Sequence, residues 1–458
     1  MCGIVGVQGA DRAAETAFMC LYALQHRGQE AAGICTSSNG RAHLHRATGL
    51  VIEGFGDAVL SALPGETALG HVRYSTAGGS GLVNAQPILV RYHKGDLAVA
   101  HNGNITNAQV LRQELEREGA LFQTTVDTEV IVHLIARSRQ PTIDEQIREA
   151  LSKLVGAFSV LLTVGDTLYA ARDPWGFRPL VLGRARGGWV VASETCALDL
   201  IGAQIACEPA PGSVLKIERG EVTHLEPLER AGDPAPCIFE LVYFARPDSR
   251  VWGASVDRAR RAFGRQLARE QPAAADCVFS VPDSSNSAAL GFAEESGIAY
   301  ELGLIRNHYV GRTFIHPYQK GRDFRVRIKY NAVREVIAGK SVVVVDDSLV
   351  RGTTSRGLIA LIREAGAREI HFRVASPPVI SPCYYGIDMP TKAELIGANH
   401  SIDEIRRHIA VDSLGYLSLE GMHRAVSEFG PFCDACFSGR YAAPLVDLEM
   451  GRPASTRC

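Results

Sequence analysis

Nowhere in the 458 residues does an apolar run approach the roughly 20 residues that a helical membrane span requires. The opening Met1-Cys2-Gly3 also lacks the basic stretch and apolar core of a secretory signal. These absences lead us to expect a cytoplasmic protein with no membrane partner. Net charge is nearly absent too: 48 basic against 50 acidic residues give −2, so no global field argues for nucleic acid or anionic lipid. The 11 cysteines do not suit a disulfide framework in a chain expected to be cytoplasmic, which invites metal or catalytic explanations for those close together. What is present is 46% apolar content, ample for burial, in a chain long enough for two domains or more, since single cores seldom exceed about 250–300 residues.

The most informative stretch is Val342-Val-Val-Val-Asp346-Asp347-Ser348-Leu-Val-Arg351-Gly352-Thr353-Thr354. A β-branched run of this kind suits a strand buried on both faces, the habit of parallel α/β sheets, where ligands gather at the carboxyl ends of the strands. Asp346 and Asp347 then stand at the strand tip, able to reach the hydroxyls of one ligand or a metal ion. Ser348, Gly352, Thr353 and Thr354 supply hydroxyls and amides that suit a phosphate at a helix start. Simple helix capping by Asp-Asp-Ser is the plain alternative. Strand 277–281 runs similarly into Pro282-Asp283-Ser284-Ser285-Asn286-Ser287 and an apolar helix from Ala288, a polar loop suited to pyrophosphate oxygens.

In the first half, an apolar strand begins with Cys2, and residues 11–25 have the spacing of an amphipathic helix ending in His26-Arg27-Gly28. If Met1 is removed, Cys2 carries a thiol and a free amine whose ordinary pKa of about 7.7–8.0 suits a base. Then follow His71-Val72-Arg73-Tyr74-Ser75-Thr76, His101-Asn102-Gly103-Asn104 and Thr125-Val126-Asp127. Taken singly, His26-Arg27-Gly28 could be a helix cap, Asn102-Gly103 a hairpin turn and Asp127 the start of a helix. Residues 154–182 and 188–217 read as strands and turns, with Ser193-Glu194-Thr195 as a helix cap. The polar, Pro-rich 229–236 marks a domain boundary. An apolar strand is expected beyond it, from Cys237 toward Arg246-Pro247-Asp248-Ser249.

In this order the first-half motifs resemble the N-terminal nucleophile glutamine amidotransferase domain over residues 2–228. The resemblance implies an αββα sandwich with Cys2 as nucleophile, Asn102 and Gly103 as oxyanion hole, and Arg73, Thr76 and Asp127 holding glutamine. It also implies that Arg27 and Tyr74 line or gate the pocket. The second half, 237–458, resembles the type I phosphoribosyltransferases, with a parallel-sheet domain. That likeness implies phosphoribosyl pyrophosphate on Asp283, Ser285, Lys329, Asp346, Asp347, Ser348, Arg351, Gly352, Thr353 and Thr354. It further implies one Mg2+ on Ser284, Asp346 and Asp347. Over the whole chain the resemblance is to the amidophosphoribosyltransferase family, the first committed step of purine synthesis. It implies ammonia passing internally near Tyr243, purine nucleotide feedback and a homotetramer.

Two features remain. Cys433-Asp-Ala-Cys436 has ligand spacing that alone fits zinc, a redox pair or chance. One branch of the family carries a 4Fe-4S cluster on four thiolates, and Cys237, Cys383, Cys433 and Cys436 match all four, which favours iron and sulfur over zinc. We expect Cys20, Cys35, Cys196, Cys207 and Cys277 to be small buried hydrophobes and Cys458 a frayed end. From Arg306 to Arg334 eight basic residues (Arg306, Arg312, Lys320, Arg322, Arg325, Arg327, Lys329, Arg334) face only Asp323. The stretch suits a lid over an anionic substrate. The rival reading is a phosphoribosyl-binding regulator that contacts nucleic acid through 306–334, against which Cys2, Arg73, Asn102 and Asp127 weigh.

Overall fold

The computed structural model describes residues 1–74, 79, 81–229, 232–308 and 322–451, the side chains of 322–325 excepted. Thr76, Cys458 and residues 309–321, the centre of the expected lid, therefore lie outside the described residues.

Two stacked antiparallel sheets build the first half. Gly3–Gln8 is the middle strand of seven, between Gly188–Ala192 and Thr67–Arg73. The second sheet has six strands, with Gly95–Ile105 paired to Gly156–Val164. Strand alternation decides what each face buries. Ile4 packs between the sheets with Leu69, Ala98 and Leu161, whereas Val5 and Val7 pack against helix Ala13–Ala23. Helices Ala108–Arg117, Glu129–Arg137 and Ile143–Ser152 cover the second sheet through Leu111, Ile131 and Ile147. The result is the αββα sandwich. Its last strand is Glu221–His224, and the described part of 229–236 contains neither helix nor strand. The periodic stretch 11–25 resolves into helix Ala13–Ala23 and a short 3-10 turn, Gln25–Arg27.

The second half contains a four-stranded parallel sheet in the order Cys277–Ser280, Ser341–Asp346, Glu369–Val374, Ser413–Tyr416. Val343 and Val345 pack with Phe263 and Phe292 of helices Val256–Glu270 and Asn286–Ser296. Val342 and Val344 pack on the opposite face with Leu358 and Ile362 of helix Thr353–Glu364. All four valines are fully buried, as expected of a strand covered on both sides.

One expected strand is absent. From Cys237 onward only a single bridge to Cys433 forms, and Glu240–Phe244 is a π-helical turn. Ile238, Leu241 and Val242 are buried within the second domain's core, and a short apolar run does not by itself distinguish strand from buried helix. The chain end returns to the first domain. Asp447 accepts hydrogen bonds from the amides of Gln109 (2.9 Å) and Val110 (3.0 Å) at the start of helix Ala108–Arg117. This is a helix cap supplied from the far end of the sequence.

Candidate active sites

Cys2 is buried at the head of the central strand. Its backbone N–H donates to Asn102 Oδ1 (3.1 Å), and its Sγ lies 3.6 Å from the Tyr74 carbonyl oxygen. Asn102-Gly103 is no hairpin turn: both residues lie inside strand Gly95–Ile105, opposite Ser159 and Phe158. Asn102 Nδ2 is buried and has no hydrogen-bond partner among the described residues, a donor left for something the fold itself does not provide. Gly103 has φ +150°, and a Cβ there would stand 2.0 Å from the Ala157 carbonyl oxygen, so only glycine fits.

Arg73 ends strand Thr67–Arg73, and its Nη2 donates to the Gly79 carbonyl (3.0 Å). Asp127 is buried and accepts from Ile105 N (3.0 Å) and Thr128 Oγ1 (3.3 Å), with His101 Nδ1 3.7 Å away. Burial alone would raise its pKa, but His101 and these hydrogen bonds outweigh that and hold the carboxyl below its ordinary range. An ionised carboxylate and a guanidinium thus share the neighbourhood of a thiol. With Met1 attached the Cys2 nitrogen is an amide, and burial pushes the Met1 amine down to about 6.

Arg27 is fully buried. Its Nε donates to the Cys2 carbonyl (2.9 Å), while its terminal nitrogens pair with Glu240 (2.8 Å) and Glu194. Sequence reasoning took Glu194 only as part of a helix cap and gave Glu240 no role. Glu194 occupies the N-cap position of helix Thr195–Leu200 but makes no capping bond; its side chain accepts from Arg246 N (2.9 Å) and Ser249 Oγ (2.7 Å) across the domain boundary. A lone glutamate inside the apolar run Cys237-Ile-Phe-Glu240-Leu-Val was the available signal, since a buried charge requires a partner. Burial raises the Glu194 pKa, but His26 and Arg27 outweigh it and hold the group well below the ordinary range. Its contribution to stability is therefore present above the ordinary glutamate value of 4.5 and is lost as pH falls below it toward the folded-state pKa. Glu240→Ala, which strands part of Arg27's charge, is expected to cost about 3–5 kcal/mol, measurable by urea denaturation.

The second constellation lies at the carboxyl end of the parallel sheet. Ser285 Oγ donates toward both Asp346 (3.1 Å) and Asp347 (3.3 Å), and Ser348 Oγ donates to Asp347 (2.7 Å). Burial and the neighbouring Asp347 charge push Asp346 well above its usual pKa; burial raises Asp347 as well. Lys329, at the end of helix Arg322–Lys329, acts on Asp346 in the opposite sense. Among the described residues, two crowded carboxylates with hydroxyls form a hard oxygen donor set that fits Mg2+. Gly352 (φ +74°) leads into helix Thr353–Glu364, where Thr353 and Thr354 are exposed. Asp283 pairs with Arg306 (2.7 Å), whereas Arg351 lies on the surface 3.5 Å from Glu394.

The π turn stands between the two constellations. Glu240 meets Arg27, and the carbonyls of Leu241 (2.8 Å) and Ala245 (2.7 Å) accept from the buried Arg260, whose Nη1 reaches the Ser284 carbonyl (3.4 Å). Tyr243 lies on this turn and is half exposed. Arg260 was another residue without a sequence signal.

Cys237, Cys383, Cys433 and Cys436 line one small cavity together with Phe177, Tyr385 and Tyr441. Among the described residues no three His, Cys, Asp or Glu side chains, the four thiols included, converge closely enough to hold a metal ion as they stand. Burial pushes Cys237 up to about 11 and also raises Cys436. A four-thiol donor set around a cavity with aromatic walls fits an iron-sulfur cluster. Cys20, Cys35, Cys196 and Cys277 are buried as expected, but Cys207 is exposed on the edge strand Gln204–Cys207.

Fold and sites together define a glutamine amidotransferase sandwich joined to a phosphoribosyltransferase-type sheet. The family model described as "Glutamine amidotransferase domain" matches residues 73–200. The chain is 51% identical to amidophosphoribosyltransferase 2, chloroplastic, of Arabidopsis thaliana, over 98% of this chain and 81% of the relative. It is 48% identical to the amidophosphoribosyltransferase of Bacillus subtilis, over 97% and 94%. The structure of glutamine phosphoribosylpyrophosphate amidotransferase from B. subtilis, solved with ADP and GMP, superposes with a TM-score of 0.92 at 46% identity, over 97% and 98% of the two chains. The chain belongs to the amidophosphoribosyltransferase family, enzymes of the first step of purine biosynthesis.

Proposed function

We propose that the chain releases ammonia from glutamine at Cys2 and uses it to displace pyrophosphate from phosphoribosyl pyrophosphate, giving 5-phosphoribosylamine. The observation that carries this reading is the presence, in one chain of this family, of a buried terminal-strand thiol beside an unpartnered Asn102 donor and of an acidic pair at a parallel-strand tip. Arg73 forms a fork with the glutamine carboxylate and Asp127 pairs with its ammonium, leaving the amide over Cys2 Sγ. Once Met1 is removed, the Cys2 amine takes the thiol proton and later delivers it to the departing ammonia. Asn102 Nδ2 and the Gly103 amide hold the tetrahedral oxygen.

At the second site Asp346 and Asp347 orient the ribose hydroxyls, Ser348 to Thr354 hold the 5-phosphate, and Asp283, Ser285 and Lys329 hold the pyrophosphate. The lid keeps water from the ribosyl centre. Mg2+, held by Ser284, Asp346 and Asp347, would supply charge stabilisation to the departing pyrophosphate. A 4Fe-4S cluster on Cys237, Cys383, Cys433 and Cys436 would tie the C-terminal segment to both domains. Protein purified without oxygen is expected to be brown with about four irons per chain, and Cys436→Ser to lose the colour and melt earlier; stoichiometric zinc would contradict this.

Feedback by purine nucleotides belongs to the proposal, supported by the B. subtilis relative having been solved with ADP and GMP. A homotetramer and a cytoplasmic location rest on family resemblance and sequence composition alone; no described helix is long and apolar enough to cross a membrane. Against the nucleic-acid alternative, Arg306 and Arg327 of the basic stretch pair with Asp283 and Glu364. The test is glutamine-dependent release of pyrophosphate from phosphoribosyl pyrophosphate. Its absence in protein that hydrolyses glutamine would refute the proposal.

A further inference from the structure

The Asn102-Gly103 segment is supported from an unexpected direction. Strand Gly95–Ile105 is paired on both sides only as far as Val99; beyond that, its partner Ile88–Tyr92 has ended and Asn102 to Asn104 have a strand neighbour on one side alone. The far half of the chain fills the gap with the three residues after Cys383. Asn104 Nδ2 donates to the Tyr384 carbonyl (2.8 Å). Gly386 (φ +105°) lies so close that a Cβ there would stand 2.8 Å from the Gly103 carbonyl carbon. Between them Tyr385 is locked in place: its carbonyl accepts from Arg178 Nε (3.0 Å), its hydroxyl donates to the Ala443 carbonyl (2.6 Å), and its ring stacks on Phe177 at 4.2 Å. Hydrogen bonds to fixed backbone at one end and backbone-to-backbone contact at the other leave Gly103 little freedom to rotate.

We infer that Asn104 and Gly386 are positioning residues for the oxyanion hole, so that the glutaminase site is completed by a loop of the transferase half. The inference rests on the oxyanion role of Asn102 and Gly103 given above. An oxyanion donor acts only once negative charge has formed, so a tilt of this strand lowers kcat for glutamine hydrolysis and leaves substrate binding alone.

The test uses the full-length holoenzyme with Cys2 at its mature terminus and the variants Asn104→Ala, Gly386→Ala and, as a control, Asn102→Ala. For the first two, kcat for glutamine hydrolysis is expected to fall about 10- to 100-fold with KM for glutamine unchanged. Ammonia-dependent synthesis and the rate of Cys2 alkylation by iodoacetamide, which needs no oxyanion hole, should stay at the parent level. Unchanged kcat in both variants while Asn102→Ala loses hydrolysis would overturn the positioning role alone. Full hydrolysis by Asn102→Ala would overturn the oxyanion reading and the inference with it. Parallel loss of ammonia-dependent synthesis, or a raised KM, would mark Asn104 and Gly386 as merely structural and equally overturn it.

Discussion

Replacing Cys2 by alanine is expected to lower glutamine-dependent synthesis by on the order of 10⁴-fold or more while sparing synthesis from added ammonia. The size of the effect follows from chemistry: the acyl bond forms at the Cys2 sulfur, and the oxyanion donors stabilise nothing until an attack has occurred. The sparing follows from geometry. Cys2 is linked to the second domain through its own carbonyl, which accepts from Arg27 Nε while Arg27 pairs with Glu240, and that backbone contact survives loss of the thiol. Assaying pyrophosphate release with each nitrogen source separates the outcomes. Equal loss with both would mean that a single site performs both steps.

The second large effect is the reverse. Converting Asp346 and Asp347 together to asparagine should reduce transferase activity by at least about 10²-fold with glutamine or ammonia alike, and leave glutamine hydrolysis in place. The same change should not destabilise the fold. Burial raises the proton affinity of both groups in the folded state, and the Asp347 charge raises that of Asp346 further, so folding is opposed increasingly as pH rises from the usual carboxylate range through the raised values. Asparagine removes that penalty at neutral pH, and the melting temperature should hold or rise. A strained acidic pair retained at a cost in stability is what a ligand-binding role predicts. Unchanged affinity for phosphoribosyl pyrophosphate in the double variant would count against it.

What could be read from the sequence follows physical lines. The valine run before Asp346 announced a doubly covered parallel strand because periodicity and β-branching agree there, and the structure buries all four valines. Asn102-Gly103 was ambiguous locally, since the same dipeptide favours hairpin turns; only its pairing to Ser159 and Phe158 shows a strand interior. The stretch after Cys237 misled because an apolar run is equally at home in a buried helical turn. The roles of Glu194, Glu240 and Arg260 escaped notice for a different reason. Their roles depend on partners far away along the chain, Arg27 for the two glutamates and the Ser284 carbonyl for Arg260, and nothing local encodes such pairings. The C-terminal return, with Asp447 capping a helix of the first domain, is of the same kind.

The central claim is that nitrogen released at Cys2 ends on the ribose held at Asp346 and Asp347, and an isotope label tests it most directly. Glutamine labelled at its amide nitrogen should be incubated with phosphoribosyl pyrophosphate and Mg2+, and the amine product trapped and weighed by mass spectrometry. The account predicts labelled phosphoribosylamine formed in step with glutamate. Glutamate accumulating without any labelled amine would contradict it.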